Sequence, residues 1–488
     1  MNKPIRTMAV FCLVLFLALL LNASYVQYLQ ADDLNDRSNN RRVIDAEFSR
    51  ERGAILVDGT QVAESVPVDD QFEFQRQYPQ PFKYAHLTGF YSYIYGATGV
   101  ESNQNDILSG SDQRLFVDRF VDMISNTQPK GGSVSLTIDP AAQTAAFDAI
   151  QALGPATQAA VVALEPATGR ILAMVSNPTY DPNLLASHDL DAVQAAYERL
   201  NGLETKPLFN RAIQETYPPG STFKLVTAAA ALESGDYDAD SQVPGGATLD
   251  LPQSDRTLPN SGGGTCGGEQ VTLTQALMVS CNVAFGAIGL ELGEQALREQ
   301  AQKFGFGERW LQGLGGQAVS QFPAEAPGPF AAYSAIGQYD VRASPLQMAL
   351  VTATIANGGQ GMVPYLVDEV RAPDLSVLEK TSPEEMPDQA MSSSSASELT
   401  QMMVEVVDQG TGTPAQLPGI KVAGKTGTAQ RGEADNPYAW FVSFAPADNP
   451  EVAVAVIVQD AGVDRDAISG SGLAAPIARA VMEAVVSS

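Results

Sequence analysis

The stretch Pro218-Pro219-Gly220-Ser221-Thr222-Phe223-Lys224 restricts the fold of this chain more than any other. Two prolines and a glycine end an extended approach. The run from Thr222 to Leu232 that follows is rich in helix formers and free of helix breakers. Ser221 is therefore expected at or near a helix N-terminus. Lys224 lies about one turn further on, so its side chain shares a face with Ser221. A hydroxyl placed there has what a weak nucleophile needs: a base within reach and unpaired backbone N–H groups close by. The tetrapeptide alone also fits a Ser N-cap followed by a surface lysine, so the rest of the chain has to decide.

The 488 residues include only two histidines, His86 and His188. A Ser-His-Asp triad or a His-rich metal site has almost no raw material, and neither a metal nor a cofactor is expected. Acyl-transfer chemistry would need another base, and lysine is the obvious one. With 56 acidic against 29 basic residues the net charge is −27, which makes nucleic acid and anionic lipid surfaces poor partners. Of the three cysteines, Cys12 lies in an apolar N-terminal run. Cys266 and Cys281 remain as an even pair: a disulfide, or two separate thiols, in an oxidising compartment. The disulfide is the expectation taken forward. It would close a loop of about 15 residues, worth on the order of 3 kcal/mol in the chain-entropy model.

Lys3 and Arg6 precede the apolar run Met8 to Leu21, which tolerable residues and two interfacial tyrosines extend to Leu29. The total, roughly 20 residues, suits a membrane span. A cleaved signal peptide competes, but Ala18 to Ala23 offers no clean A-x-A site. The expectation is an uncleaved anchor over 8–29 in the cytoplasmic membrane, with the short tail 1–7 inside and the body outside. Residues 30–132 read as a polar stalk and an elongated, mainly β pedestal without a catalytic cluster. Residues 133–488 read as a second, larger domain. It opens with a strand from Ser133, then a helix that Asp139 caps and Pro140 starts. A hairpin over Ala159–Leu164 and Arg170–Val175 follows. A Gly-rich loop spans about 245–268. The acidic, Ser- and Pro-bearing stretch 371–397 reads as a mobile excursion. Three strands, from Ile420, Ala439 and Val452, and a terminal helix close the chain. A hairpin early, three strands late and helices between imply an α/β (α+β) domain: a five-stranded antiparallel sheet flanked by helices. Trp440, Phe441 and Tyr217 read as packing residues.

Three short motifs stand in order: Ser221-Thr222-Phe223-Lys224, Ser280-Cys281-Asn282 and Lys425-Thr426-Gly427. Each is weak alone. Together they resemble the signature of serine penicillin-recognising enzymes. Asn210-Arg211-Ala212 ahead of the nucleophile, Ser334-Ala335-Ile336-Gly337-Gln338, Ser344-Pro345-Leu346-Gln347 and Thr428-Ala429-Gln430 sharpen the resemblance to class B high-molecular-weight penicillin-binding proteins, nearest to their actinobacterial A-type branch. A weaker likeness reaches the pedestal through Arg52-Gly53-Ala54-Ile55-Leu56 and Leu87-Thr88-Gly89.

The resemblance implies a peptidoglycan D,D-transpeptidase that β-lactams acylate. Ser221 would attack a D-Ala-D-Ala peptide bond and Lys224 would take its proton, helped by burial and by Lys425 as a neighbouring cation. Ser280 would relay a proton to the leaving amine. Asn282 would bind the peptide amide, and Lys425, Thr426 and Thr428 the terminal carboxylate. Backbone N–H groups of Ser221 and Thr428 would form the oxyanion hole. Gly427 would let the strand come close to the substrate. The implied partners are the donor and acceptor stem peptides, β-lactam antibiotics and a SEDS-type glycosyltransferase in the membrane. A D,D-carboxypeptidase, a class A β-lactamase and a β-lactam sensor or scaffold are the alternatives. The β-lactamase needs a deacylating Glu loop and the sensor a cytoplasmic output domain, and neither is evident.

Overall fold

The computed structural model describes residues 3–30, 41–115, 130–431 and 435–487. The stalk expected after residue 30 therefore lies partly outside the described residues. A helix, Lys3–Ser24, continues as a π-helical turn to Leu29, and this element is long and apolar enough to cross a membrane.

The catalytic half is built on a five-stranded sheet, in the order Ala423–Ala429, Tyr438–Ala445, Val452–Asp460, Gln158–Leu164, Ile171–Asn177. Every neighbouring pair is antiparallel. All its strands but the edge strand Ala423–Ala429 read as near-continuous apolar runs because both faces are covered. Ala159, Val161 and Ala163 point into one core with Val452, Val454, Val456 and the terminal helix Ala475–Val486. Ala160, Val162 and Leu164 point the other way, into the larger core with Ala453, Ala455, Ile457 and the buried helix Pro345–Ala356. The period-2 alternation of a strand thus distributes one hydrophobic run between two cores. The helix predicted after Asp139 spans Pro140–Gln151, and Ala142 N donates to the Asp139 carboxylate at 2.7 Å.

The strand Ser133–Leu136 lies outside the five-stranded sheet, which consists of the expected hairpin and the three late strands. It joins a six-stranded mixed sheet, parallel to Ile55–Val57 on one side and antiparallel to Val367–Arg371 on the other. One expectation needs correction: the stretch 371–397 is not a mobile excursion. Val377–Lys380 extends that mixed sheet, and Glu385–Gln389 pairs with Gln360–Met362. Its polar composition reflects one-sided exposure of edge strands. Beneath the mixed sheet Glu101 is fully buried between Arg52 and Arg76, each at 2.6 Å, and Tyr78 donates to it as well. A buried carboxylate so surrounded keeps its charge despite burial, and its pKa is lowered.

Candidate active site

The candidate site lies where the turn carrying Ser221 meets the outer edge strand of the sheet. Gly220–Phe223 forms a short 3-10 turn that leads directly into the helix Lys224–Ser234. Gly220 has φ 54°, and its N–H donates to Gly337 O at 3.0 Å. A Cβ at Gly220 would sit 2.9 Å from Ala429 Cβ, and one at Gly337 would sit 2.2 Å from Gly220 O. The turn is thus wedged between the Gly337 loop and the strand Ala423–Ala429. Trp440 braces it from the neighbouring strand by donating its indole N–H to Pro218 O at 3.0 Å. Trp440 is buried and packs as expected, and Tyr217 stacks edge-on against it.

Ser280 owes its placement to a helix end. Helix Leu273–Met278 closes with Ser280 N–H donating to Leu277 O and Cys281 N–H to Ala276 O, a Schellman arrangement. That motif wants a left-handed residue, usually glycine, at the position Ser280 fills, and Ser280 has φ 61°. The next helix, Asn282–Lys303, starts at once. Its exposed N–H groups on Asn282 and Val283 are capped at 3.0 and 3.1 Å by the side chain of Asn260, from the Gly-rich loop. Asn260 also donates to Gly246 O and Gly264 O, both at 2.9 Å. In the same place Cys266 and Cys281 are bonded, with Cα atoms 5.8 Å apart.

Two buried lysines converge on Ser280. Lys425 Nζ donates to Ser280 Oγ at 2.8 Å and to Thr426 O at 3.0 Å. Lys224 Nζ donates to Ser280 O at 2.7 Å, to Ser280 Oγ at 3.3 Å and to Asn282 Oδ1 at 2.7 Å. Burial, and then the charge of Lys425, hold the Lys224 amine well below the ordinary lysine range. Burial alone brings Lys425 down to about 7. Ser221 is half-buried, in the turn that precedes Lys224. Its hydroxyl makes no side-chain hydrogen bond among the described residues, so the Ser221–Lys224 pairing read from the tetrapeptide is replaced here by Lys224 bonds to the Ser280 loop. The two histidines bond elsewhere, His86 to Pro207 O and His188 to Asp70.

Residues 159–483 match the model of the penicillin binding protein transpeptidase domain, and residues 52–134 that of the penicillin binding protein A dimerisation domain. The chain belongs to the penicillin-binding protein transpeptidase family. It is 45% identical to the peptidoglycan D,D-transpeptidase PbpA of Mycolicibacterium smegmatis, over 100% of this chain and 99% of the relative. It is 44% identical to PbpA of Mycobacterium tuberculosis over the same shares. The ceftriaxone acyl-enzyme complex of M. tuberculosis penicillin-binding protein A superposes with TM-score 0.86 at 44% identity, covering 91% of this chain and 100% of that one. Its penicillin G acyl-enzyme complex gives 0.83.

In this penicillin-binding protein the structure brings Lys224, Ser280, Asn282 and Lys425 together, and the turn that carries Ser221 packs against the strand of Lys425. Thr426 is buried beside Lys425, with its hydroxyl 2.6 Å from that of Thr411. Thr428 is exposed on the same face of the strand. Gly427 points at the nucleophile turn: a Cβ there would lie 3.0 Å from Thr222 Cγ2 and from Trp440 Cβ. The expected reason for glycine was room for substrate, and the structure adds room for the turn itself. Sequence reasoning missed Asn260 and Thr411. The available signal for Asn260 was a turn-forming Asn-Ser-Gly at the start of the glycine cluster. Nothing local marks Thr411.

Proposed function

We infer that this chain is a membrane-anchored serine-type D,D-transpeptidase that cross-links peptidoglycan stem peptides and is acylated by β-lactams. The observation that carries this reading is Ser280 Oγ held between two buried lysine amines, one of them on the helix that follows the Ser221 turn. A serine attacks a carbonyl only if its proton is removed, and a lysine does this only when neutral. Burial beside a second cation favours the neutral form of Lys224. Ser280, bonded to both amines, is placed to carry that proton to the departing nitrogen. The partial positive end of the 3-10 turn and the strand end at Thr428 supply N–H groups for the oxyanion, from Ser221 and Thr428. Asn282 binds the peptide amide, and Lys425, Thr426 and Thr428 bind the donor's terminal carboxylate. An amine of a second stem peptide then resolves the acyl-enzyme.

We assign 1–7 to a cytoplasmic tail, 8–29 to the anchor, 30–132 to the stalk and pedestal, and 133–488 to the transpeptidase domain. The strand from Ser133 is the seam, since it pairs with both. The body faces the extracytoplasmic side, where the Cys266–Cys281 bridge is stable. Glycan strands come from a SEDS-type glycosyltransferase reached through the anchor and pedestal. The test is labelling with a fluorescent penicillin followed by intact mass. Wild-type protein takes up one β-lactam and Ser221→Ala takes up none; an adduct that persists in Ser221→Ala sinks the assignment.

A further inference from the structure

We infer that Thr411 is a positioning residue for carboxylate recognition, acting through the hydroxyl of Thr426. The inference rests on the transpeptidase reading above and deepens it. Thr411 lies between the helix Ser393–Asp408 and the edge strand, in a loop locked to its surroundings. Gly410 N–H donates to Glu405 O, Thr411 N–H to Met278 O and Gly412 N–H to Val406 O. A Cβ at Gly410 would lie 2.5 Å from Met278 O, and one at Gly412 3.1 Å from Val406 O. The loop thus touches the helix end that presents Ser280 and also the strand that presents Lys425.

Among the described residues the Thr411 side chain has one hydrogen-bond partner, the Thr426 hydroxyl at 2.6 Å, and the Thr426 hydroxyl has no other. Two hydroxyls at this separation share a single hydrogen bond, so one hydrogen is left over. When Thr411 donates, Thr426 accepts, and the Thr426 hydrogen is free for an anion in the site. A carboxylate placed between Lys425, Thr426 and Thr428 selects that orientation, because the opposite one would turn a lone pair towards negative charge. The chain Thr411 to Thr426 to carboxylate then polarises in one direction, and each bond strengthens the next. Thr411 never touches the substrate in this arrangement. It sets the direction in which Thr426 donates.

The experiment compares wild type, Thr411→Val and Thr411→Ser in the full chain. The probes are penicillin G and its methyl ester, and acylation is followed over a range of concentrations. Thr411→Val should lower the second-order acylation constant for the free acid about five- to tenfold, the effect of one neutral hydrogen bond. The loss should appear in the apparent binding constant, with the limiting acylation rate unchanged. Thr411→Ser should restore the wild-type value, and the ester should react alike with all three proteins. The acid-to-ester ratio is taken on one preparation, so a smaller folded fraction cancels. Equal slowing of acid and ester, a failure of Ser to restore, or no slowing at all overturns the inference while leaving the transpeptidase reading intact. A wild-type protein that forms no Ser221 adduct overturns both.

Discussion

Replacing Ser280 by glycine and by alanine separates strain from chemistry at the residue where the two lysines meet. Ser280 occupies left-handed backbone, φ 61°. For a residue with a Cβ this costs roughly 1–2 kcal/mol, whereas glycine avoids the clash but gives up about 0.5–1 kcal/mol of chain entropy on folding. Ser280→Gly should therefore be more stable than Ser280→Ala by about 0.5–1 kcal/mol. Both variants lose the Oγ that accepts from Lys425 at 2.8 Å and from Lys224 at 3.3 Å. Neither amine is stranded. Lys425 keeps Thr426 O at 3.0 Å, and Lys224 keeps the carbonyl of residue 280 and Asn282 Oδ1, both at 2.7 Å. The fold should survive both changes. The proton route does not survive either, and acylation should fall by at least about a hundredfold in each, the low end for losing a general acid–base group. That is about 2.7 kcal/mol of barrier. Urea titration measures the first difference, and fluorescent-penicillin acylation rates measure the second. If the glycine variant acylates faster than the alanine variant in step with its stability, Ser280 is a structural residue and the relay is wrong. Near-normal rates in both would refute it outright.

Lys224→Arg keeps the charge but removes a usable base, so acylation should drop at least about a hundredfold; a rate near wild type in the same labelling assay would mean that another group takes the proton. The pH dependence follows from the two buried lysines. Acylation should rise with pH below the ordinary lysine range as Lys224 deprotonates, so a rate that rises only within the ordinary lysine range contradicts the base assignment. Burial lowers the Lys425 pKa from the ordinary lysine value, about 10.4, to about 7 in the fold. Between those values the unfolded chain holds more protons, so this group's contribution to stability increases with pH across that window and is flat below it. Urea midpoints at pH 6.5 and pH 9 should show the increase, and Lys425→Met should reduce it. Thiol alkylation of denatured, unreduced protein from an oxidising compartment should label Cys12 alone; labelling of Cys266 and Cys281 would show that the bridge is absent there.

The five-stranded sheet was readable because its strands carry strong local signals. Gln158–Leu164 and Val452–Asp460 are apolar on both faces, and a hairpin turn joins Gln158–Leu164 to Ile171–Asn177. The weaker strands were misread for a physical reason. Val377–Lys380 and Glu385–Gln389 are short, largely exposed and polar, so they bury too little to leave a period in the sequence. Their stability comes from partners at Val367–Arg371 and Gln360–Met362, and pairing of that kind leaves no composition signature. Ser133–Leu136 shows the same gap differently: its strand character was legible, but its neighbours Ile55–Val57 and Val367–Arg371 lie far away along the chain.

At the site, the sequence by itself determined the chemistry on offer. With only two histidines present, a serine with a lysine one turn later, and a second lysine in a Gly-bearing strand, it named the reactive groups and the order in which they occur. Those properties are local, set by side-chain type and helix or strand period. Only the tertiary structure decided how they meet. It turned Lys224 towards the Ser280 loop, put Ser280 in left-handed backbone between two amines, capped the following helix with Asn260 and set Thr411 against Thr426. Each of these depends on segments brought together by burial of two cores, and burial is also what lowers the lysine pKa values. Desolvation belongs to the packed molecule, and no stretch of sequence carries it alone.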